Sequence, residues 1–227
     1  MKTVLGLFIL ALGVCIGCSA VRPASSSSQQ SPNTNSEPTP LAAATVEEKQ
    51  PCPLTLSEAP VIKGVKLRMT PADVVKLFPG SKDDPEVQSQ LSKPPSKFGV
   101  GSLVIRPDKF ENKEDFKEIS LITLTILDGR LSTISIQYRG PQWSHVDQFV
   151  DKFVENTNLP KTDQWEAFVG QDTQLKTLSC QGFSIQLYAG GEGGSLNYVL
   201  LEDAAAKKTL KDRKQKAREQ VSPTPNQ

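Results

Sequence analysis

Histidine is almost absent from this sequence, and its scarcity excludes several chemistries. The chain of 227 residues has one histidine, His145, and no G-x-S-x-G motif to supply a nucleophile for a Ser-His-Asp triad. A zinc site needs three or four His, Cys or carboxylate ligands, and no such cluster is readable here. We therefore predict a protein that is not an enzyme and has no catalytic residue, metal or cofactor, with His145 as an exposed or helix-terminal side chain.

Phosphate-binding and acid–base motifs are also missing. Gly190–Gly194 is rich in glycine, but it lacks the Lys-Ser/Thr of a phosphate-binding loop and joins two predicted strands. We interpret it as a hairpin loop, with the alternative that Gly191, Glu192 and Gly193 form a mobile contact loop for a partner. Candidate carboxylates for acid–base catalysis fall in turns or loops, where solvated acidic side chains are expected: Asp108, Asp128 and Glu192.

No hydrophobic run reaches the length of about 20 residues that a membrane-spanning helix needs. The run Val4–Ile16 follows the charged start Met1-Lys2, a pattern typical of a signal peptide over residues 1–17. Gly17-Cys18-Ser19 resembles a bacterial lipobox, although Cys15 stands where leucine is usual. The resemblance implies cleavage before Cys18 and lipid attachment to it. The alternative is ordinary secretion, with cleavage after Ala20.

The rest of the chain divides by composition. Residues 18–51 are rich in Ser, Pro, Thr, Gln and Asn, which predicts a disordered tether. Its end-to-end distance would be on the order of 30 Å. Residues 52–203 are enough for a single α+β globular domain, and residues 204–227 predict a basic helical, then disordered tail.

Charge is nearly balanced, with 26 basic against 25 acidic residues, and removal of residues 1–17 removes one lysine. This balance argues against a nucleic-acid partner. The tail is the exception, with a local net charge near +5. It could touch anionic lipid headgroups or an acidic partner, or remain a solvated helix.

Four cysteines are present, of which Cys15 and Cys18 belong to the export signal. The remaining pair, Cys52 and Cys180, favours a disulfide because exported proteins usually bridge an even pair. Two unpaired thiols remain the alternative.

The clearest fold signal is the hairpin Ile119–Tyr138, in which apolar residues occupy the even positions of both arms. A two-residue turn at Asp128-Gly129 would pair even with odd positions and split this apolar face. We therefore predict a three-residue loop, Leu127-Asp128-Gly129, with a bulge at Gly129. That loop would pair Ile122 with Ile134.

Helical patterns precede each group of strands. Thr70 predicts an N-cap with Pro71 at the first helical position, and Ser144 predicts the N-cap of a second amphipathic helix. Residues 81–98 predict a surface loop, and residues 162–168 a short helical turn. The order of elements predicts an α+β fold of two helix–three-strand pseudo-repeats, with helices packed on one face of a mainly antiparallel sheet.

A helix start at Met69-Thr70 with Val74, followed by strands and the turn Leu127–Arg130, is similar to the SmpA/OmlA (BamE-like) lipoprotein family. Arg68 stands where that family has glycine. The resemblance implies a small α+β lipoprotein of the outer membrane, and a tandem unit would resemble β-lactamase-inhibitor-protein-like folds. Fold similarity alone does not give function.

Trp143 and Trp165 flank the second helix and are candidate interaction residues, because aromatic side chains at loop edges are enriched at interfaces. Packing in the core is the alternative role for both.

Together these features predict a non-catalytic lipoprotein that binds another protein, in a role such as envelope assembly. Its partners would be a membrane, through an N-terminal lipid anchor at Cys18 facing the periplasm, and an unidentified protein. The alternatives are a soluble secreted form and a periplasmic protein that binds a small ligand or cell-wall fragment.

Overall fold

The computed structural model describes residues 52–168 and 174–221, which all belong to one compact unit. The predicted signal peptide, Cys18, the tether and the last residues of the tail lie outside the described residues.

The described residues form four α-helices and seven strands. The helices are α1 (Pro71–Val75), α2 (Pro85–Ser92), α3 (Val146–Val154) and α4 (Ala204–Val221). The strands are β1 (Val100–Ile105), β2 (Ile119–Leu127), β3 (Arg130–Tyr138), β4 (Glu166–Ala167), β5 (Leu175–Ser179), β6 (Phe183–Tyr188) and β7 (Tyr198–Asp203). Single 3₁₀ turns cover Leu56–Glu58, Ser81–Asp83, Pro107–Lys109, Lys113–Phe116, Thr162–Gln164 and Glu192–Gly194.

The seven strands form one antiparallel sheet in the order β1-β2-β3-β7-β6-β5-β4. The predicted α+β class and antiparallel sheet are therefore confirmed. The sheet joins strands from distant parts of the chain at its centre, where β3 pairs with β7 and Ile134 lies opposite Leu201. This long-range pairing makes the sheet continuous.

The predicted three-residue hairpin loop is wrong. Leu127 pairs with Arg130, so the turn has only the two residues Asp128 and Gly129, both at positive φ (51° and 77°). Such a type I′ turn matches the strand twist, and Asp tolerates the left-handed region. The predicted pairing of Ile122 with Ile134 is also wrong, because Ile122 lies opposite Ile136. Beyond a bulge at Ser132 even positions nevertheless pair with even ones, because Ser132 is an extra residue between the pairs Thr125–Thr133 and Ile126–Leu131.

The first predicted helix start is confirmed. Thr70 caps α1 by accepting a hydrogen bond from the N–H of Asp73, and Pro71 is the first helical residue. For α3, however, the N-cap is His145 and not Ser144, since the Nδ1 of His145 accepts from the N–H of Asp147. Ser144 instead hydrogen-bonds the side chain of Gln148. The helix-terminal role of His145 is thus confirmed.

Residues 81–98 are not only a loop, because they contain α2. Asp84 caps this helix by accepting from the N–H groups of Glu86 and Val87, and Pro85 begins it. The predicted turn at 162–168 is helical only over Thr162–Gln164, and β4 follows.

One face of the sheet is buried in the core. Its side chains alternate along the strands: Leu103, Ile105, Ile122, Leu124, Ile134, Ile136, Leu178, Phe183, Ile185, Leu187, Val199 and Leu201. Buried residues from α1, α3 and their flanks join the same cluster: Val74, Val75, Phe78, Val146, Phe149 and Val150. Burial of these apolar surfaces is the main stabilising term of the fold.

Two contacts join parts of the domain that are far apart in the sequence. Cys52 and Cys180 lie at disulfide distance, with Cα atoms 4.6 Å apart, which is compatible with the predicted bridge. The side chain of Arg68 pairs with Asp203, whose carboxylate is fully buried and also accepts from the N–H of Ala206 in α4. The tail is helical as predicted, but it does not simply extend into solvent, because Arg213 binds the turn residue Asp128.

Candidate interaction surface

The second face of the sheet, here called the open face, carries side chains that are only partly buried. Because side chains alternate along a strand, these residues point away from the core. They are mostly uncharged and polar or aromatic: Thr123, Thr125, Thr133, Ser135, Gln137, Thr177, Ser184, Gln186, Tyr188, Tyr198 and Leu200. The register also places two acidic residues on this face, Glu202 opposite Thr133 and Glu166 opposite Thr177. A partly exposed, mostly uncharged sheet face is therefore available for contact with another molecule.

A row of larger side chains crosses the open face at one end. The strand register places Leu175 opposite Tyr188, Tyr188 opposite Tyr198, Tyr198 opposite Gln137 and Gln137 opposite Leu121. With neighbouring strands about 4.8 Å apart, this cross-strand row spans about 20 Å.

Phe168 continues the cross-strand row beyond β5. Its N–H donates to the carbonyl of Leu175, and its side chain is 52% exposed. Leu196 adds a second exposed apolar side chain beside Tyr198, also at 52%. Exposed apolar side chains that lie together on one surface mark a candidate interaction site.

A shallow pocket of about 520 Å³ lies within the cross-strand row. Its lining is Leu121, Thr123, Ser135, Gln137, Leu175, Tyr188, Leu196 and Tyr198. The rings of Tyr188 and Tyr198 stack with centroids 5.3 Å apart, so each holds the other in place. The lining contains no charged side chain, so contacts in this pocket must be apolar or neutral hydrogen bonds.

The glycine-rich loop between β6 and β7 is fastened to the domain and supports this pocket. Buried Asn197 accepts from the N–H of Gly190 and donates to the carbonyl of Pro141. Gly194 leaves no room for a side chain, because a Cβ there would lie 2.4 Å from that carbonyl oxygen. The loop thereby fixes Leu196 at the edge of the row.

The candidate loop residues lie at the outer end of this fastened segment. Glu192 and Gly193 are exposed, and Gly191 is half-buried. They stand close to the pocket in sequence, but none of the three lines it.

The two tryptophans lie away from the open face. Trp165 is 2% exposed and donates through Nε1 to the carbonyl of Pro160. It therefore packs in the core, which is the alternative role considered for it above. Trp143 is half-buried and stacks on Phe149 with centroids 5.9 Å apart. Phe149 also meets Tyr138 edge-on, and burial raises the pKa of the Tyr138 phenol well above its ordinary range, with a smaller contribution from Glu118.

The described part of the chain holds no group of three or more His, Cys, Asp or Glu side chains that could bind a metal. Two of the three acidic turn residues have cationic partners, since Asp108 pairs with Arg139 and Asp128 with Arg213. Asp108, Asp128 and Glu192 all lie outside the pocket.

The cross-strand row could not have been read from the sequence, because it depends on pairing β3 with β7. Alternation placed Tyr138 on the apolar face of the hairpin, and it packs against the core there. Only Tyr188 and Tyr198 could have indicated this row from the sequence. Each lies at the end of a predicted strand that adjoins the glycine-rich loop.

Within residues 52–168 and 174–221, no helix is long and apolar enough to cross a membrane. Comparison with known proteins found no matching family model and no matching curated protein. Among solved structures, the chain is similar to a cysteine-rich secretory protein from Staphylococcus aureus, at 12% identity and a TM-score of 0.37. The match covers 69% of this chain and 48% of the other, so this chain spans about half the length of that protein.

Proposed function

We propose that this protein is non-catalytic and binds another protein of the bacterial envelope through the open face of its sheet. The observation that carries the proposal is the cross-strand row from Leu175 to Leu121, with its exposed neighbours Phe168 and Leu196. Tyrosine combines a large contact area with few rotatable bonds, and serine and threonine add adaptable hydrogen bonds. The composition of this face therefore suits protein recognition.

Packing on the other side of the sheet supports the same proposal. The core side chains of the sheet and of α1 and α3 are almost completely buried in one cluster. The interface between helices and sheet is filled, and Phe168 and Leu196 leave apolar surface accessible on the open face. Two large exposed apolar side chains lie outside that face, where Val61 and Leu91 line separate pockets of about 620 and 290 Å³.

The location of this binding follows from the N-terminal sequence. We propose that residues 1–17 are removed and that Cys18 is acylated. The acyl group would anchor the domain to a membrane, with the domain on the periplasmic side. The predicted tether of residues 18–51 would let the open face reach a partner near that membrane. A soluble secreted form remains the alternative, and mass spectrometry of the mature N-terminus distinguishes the two.

We also propose that the fold contains an internal repeat. We propose that α1 with β1–β3 and α3 with β5–β7 are two repeats whose helices cover one face of the sheet. The strand order supports this, because each half contributes its last strand to the centre and its first towards an edge. The SmpA/OmlA resemblance is supported by Arg68, whose φ of 69° suits the glycine of that family.

Capture from envelope extracts tests the proposed function. The wild-type domain should retain a specific protein, and Phe168→Ala with Leu196→Ala should lose it. The matched control is Val61→Ala with Leu91→Ala, which also removes two exposed apolar side chains but leaves the open face intact. Equal loss in both double variants, or no specific partner at all, would contradict the proposal.

A second candidate function is binding of a small ligand in the pocket. Its volume of about 520 Å³ lies within the range of small-molecule sites, which the Tyr188–Tyr198 pair would line. A thermal-shift screen with lipids, glycans and peptides tests this reading. Stabilisation of the wild type that Tyr198→Ala abolishes would favour it over protein binding.

A further inference from the structure

Helix α4 carries a line of basic side chains, here called the basic stripe: Lys207, Lys211, Lys214 and Arg218. At 3.6 residues per turn these four positions fall within an arc of about 60° and extend over roughly 16 Å. All four side chains are exposed. The helix therefore presents a straight cationic edge to its surroundings.

The position of α4 is fixed by contacts away from the basic stripe. Asp203 accepts from the N–H of Ala206 at its start, and Arg213 donates to both carboxylate oxygens of Asp128, at 2.9 and 2.7 Å. Arg213 also donates to the carbonyl of Phe98. These contacts hold the stripe in one orientation relative to the sheet.

The charge of α4 is opposite to that of the remaining chain. The helix has seven basic and two acidic residues, whereas the whole chain carries a formal charge of only +1. The rest of the chain therefore has an excess of acidic residues. Within the stripe, Lys207 pairs with Glu202. The acidic residues of the helix itself, Asp212 and Glu219, lie outside the stripe.

We infer that the basic stripe is a docking surface for an anionic phospholipid bilayer. A straight row of cations matches a flat anionic surface, and each basic side chain near such a surface adds to attraction. The apolar side chain Leu210 lies away from the arc of the stripe, so α4 would rest on the headgroups without entering the hydrocarbon. This contact would orient the domain and does not depend on acylation of Cys18.

Vesicle co-sedimentation tests this inference, using the chain without residues 1–17 and with Cys18→Ser, so that neither the signal segment nor an acyl group contributes. Vesicles of phosphatidylcholine with about one third phosphatidylglycerol should bind the protein, and pure phosphatidylcholine vesicles should not. Binding should weaken as salt is raised, because the contact is electrostatic. Replacing the four stripe residues by glutamine should reduce it at least tenfold.

The matched control is replacement of four exposed lysines elsewhere by glutamine: Lys82, Lys93, Lys113 and Lys161. This control should retain binding within about threefold. Equal loss in both variants would overturn the inference, as would equal binding to neutral vesicles. Binding of soluble polyglutamate without vesicle binding would assign the stripe to an acidic protein and would also overturn it. Far-ultraviolet circular dichroism confirms that α4 remains folded in the stripe variant.

Discussion

Arg213 and Asp128 lie 85 residues apart in the sequence and form a two-point ion pair, in which two guanidinium nitrogens each donate to one carboxylate oxygen. The pair ties α4 to the turn between β2 and β3. Gly99 lies beside it at a φ of 78°, and a Cβ there would lie 2.4 Å from an oxygen of Asp128 and 2.8 Å from a nitrogen of Arg213, so a side chain would be strained and would displace the pair. The hairpin turn therefore anchors α4 in addition to reversing the chain.

Arg213→Gln should loosen α4 without unfolding the domain. Both partners are at the surface, so the global melting temperature should change little. Amide exchange in the first half of α4 should accelerate, on the order of threefold to tenfold, because a local anchor is lost. Lys216→Gln is the control, since that side chain is exposed on the same helix. Unchanged exchange in Arg213→Gln would show that the pair does not hold the helix.

The same pair should respond to acid. The hydrogen bonds and charge of Arg213 lower the pKa of Asp128 below its ordinary value of 3.8. A lowered pKa means that the ionised form is favoured by folding, so its contribution is complete above the unfolded pKa and is lost as pH falls through the folded value. Carbon-detected NMR titration of Asp128 should show a raised midpoint in Arg213→Gln, and an unchanged midpoint would contradict the ion pair.

Arg68 should be important for stability. Its partner Asp203 has no solvent exposure, and removal of one member of such a pair leaves a buried charge. Since Arg68 itself is half-exposed, Arg68→Ala should reduce the free energy of unfolding by about 1–3 kcal/mol in urea titrations. Lys66→Ala, in the same exposed segment, should change it by less than about 0.5 kcal/mol.

The backbone at Arg68 allows a sharper comparison. Its φ of 69° lies in the left-handed region, which glycine adopts without strain. Arg68→Gly should therefore be more stable than Arg68→Ala by about 1 kcal/mol, although both lose the ion pair. If alanine is the more stable of the two, the strain attributed to this position is wrong.

Cys52 and Cys180 should form a disulfide in protein purified without reducing agent. Intact mass after alkylation should reveal no free thiol at these positions, and a linked peptide pair should appear after proteolysis. Cys52→Ala with Cys180→Ala should lose about 2–5 kcal/mol of stability, because the bridge constrains a loop of 128 residues in the unfolded chain. Complete alkylation without prior reduction would refute the bridge.

Local signals predicted local structure well, and long-range pairing limited the rest. The cap at Thr70-Pro71 was readable because its interactions lie within three residues. Asp84-Pro85 carries the same signal, but the prolines that follow it favoured a loop. At the hairpin, the sequence correctly indicated that apolar even positions of the two arms face each other. It could not show whether a longer turn or a bulge at Ser132 produces this pairing, because both do so equally well. The open face required the register of β3 on β7, which no local pattern contains.

Binding through the open face should be insensitive to salt. The pocket lining has no charged side chain, so screening should alter affinity for the protein partner by less than about threefold between low and high salt. Surface plasmon resonance with the captured partner measures this directly. A steep loss of affinity with salt would assign the partner to a charged surface of the protein instead of the cross-strand row.

Site-specific photo-crosslinking in cells tests the central claim most directly. A photoreactive phenylalanine analogue at Leu196, which is 52% exposed beside Tyr198, should yield a discrete adduct with one envelope protein. The same analogue at Leu91, which is 44% exposed away from the open face, should yield none. Adducts from Leu91 but not from Leu196, or none from either, would contradict an interaction through the open face.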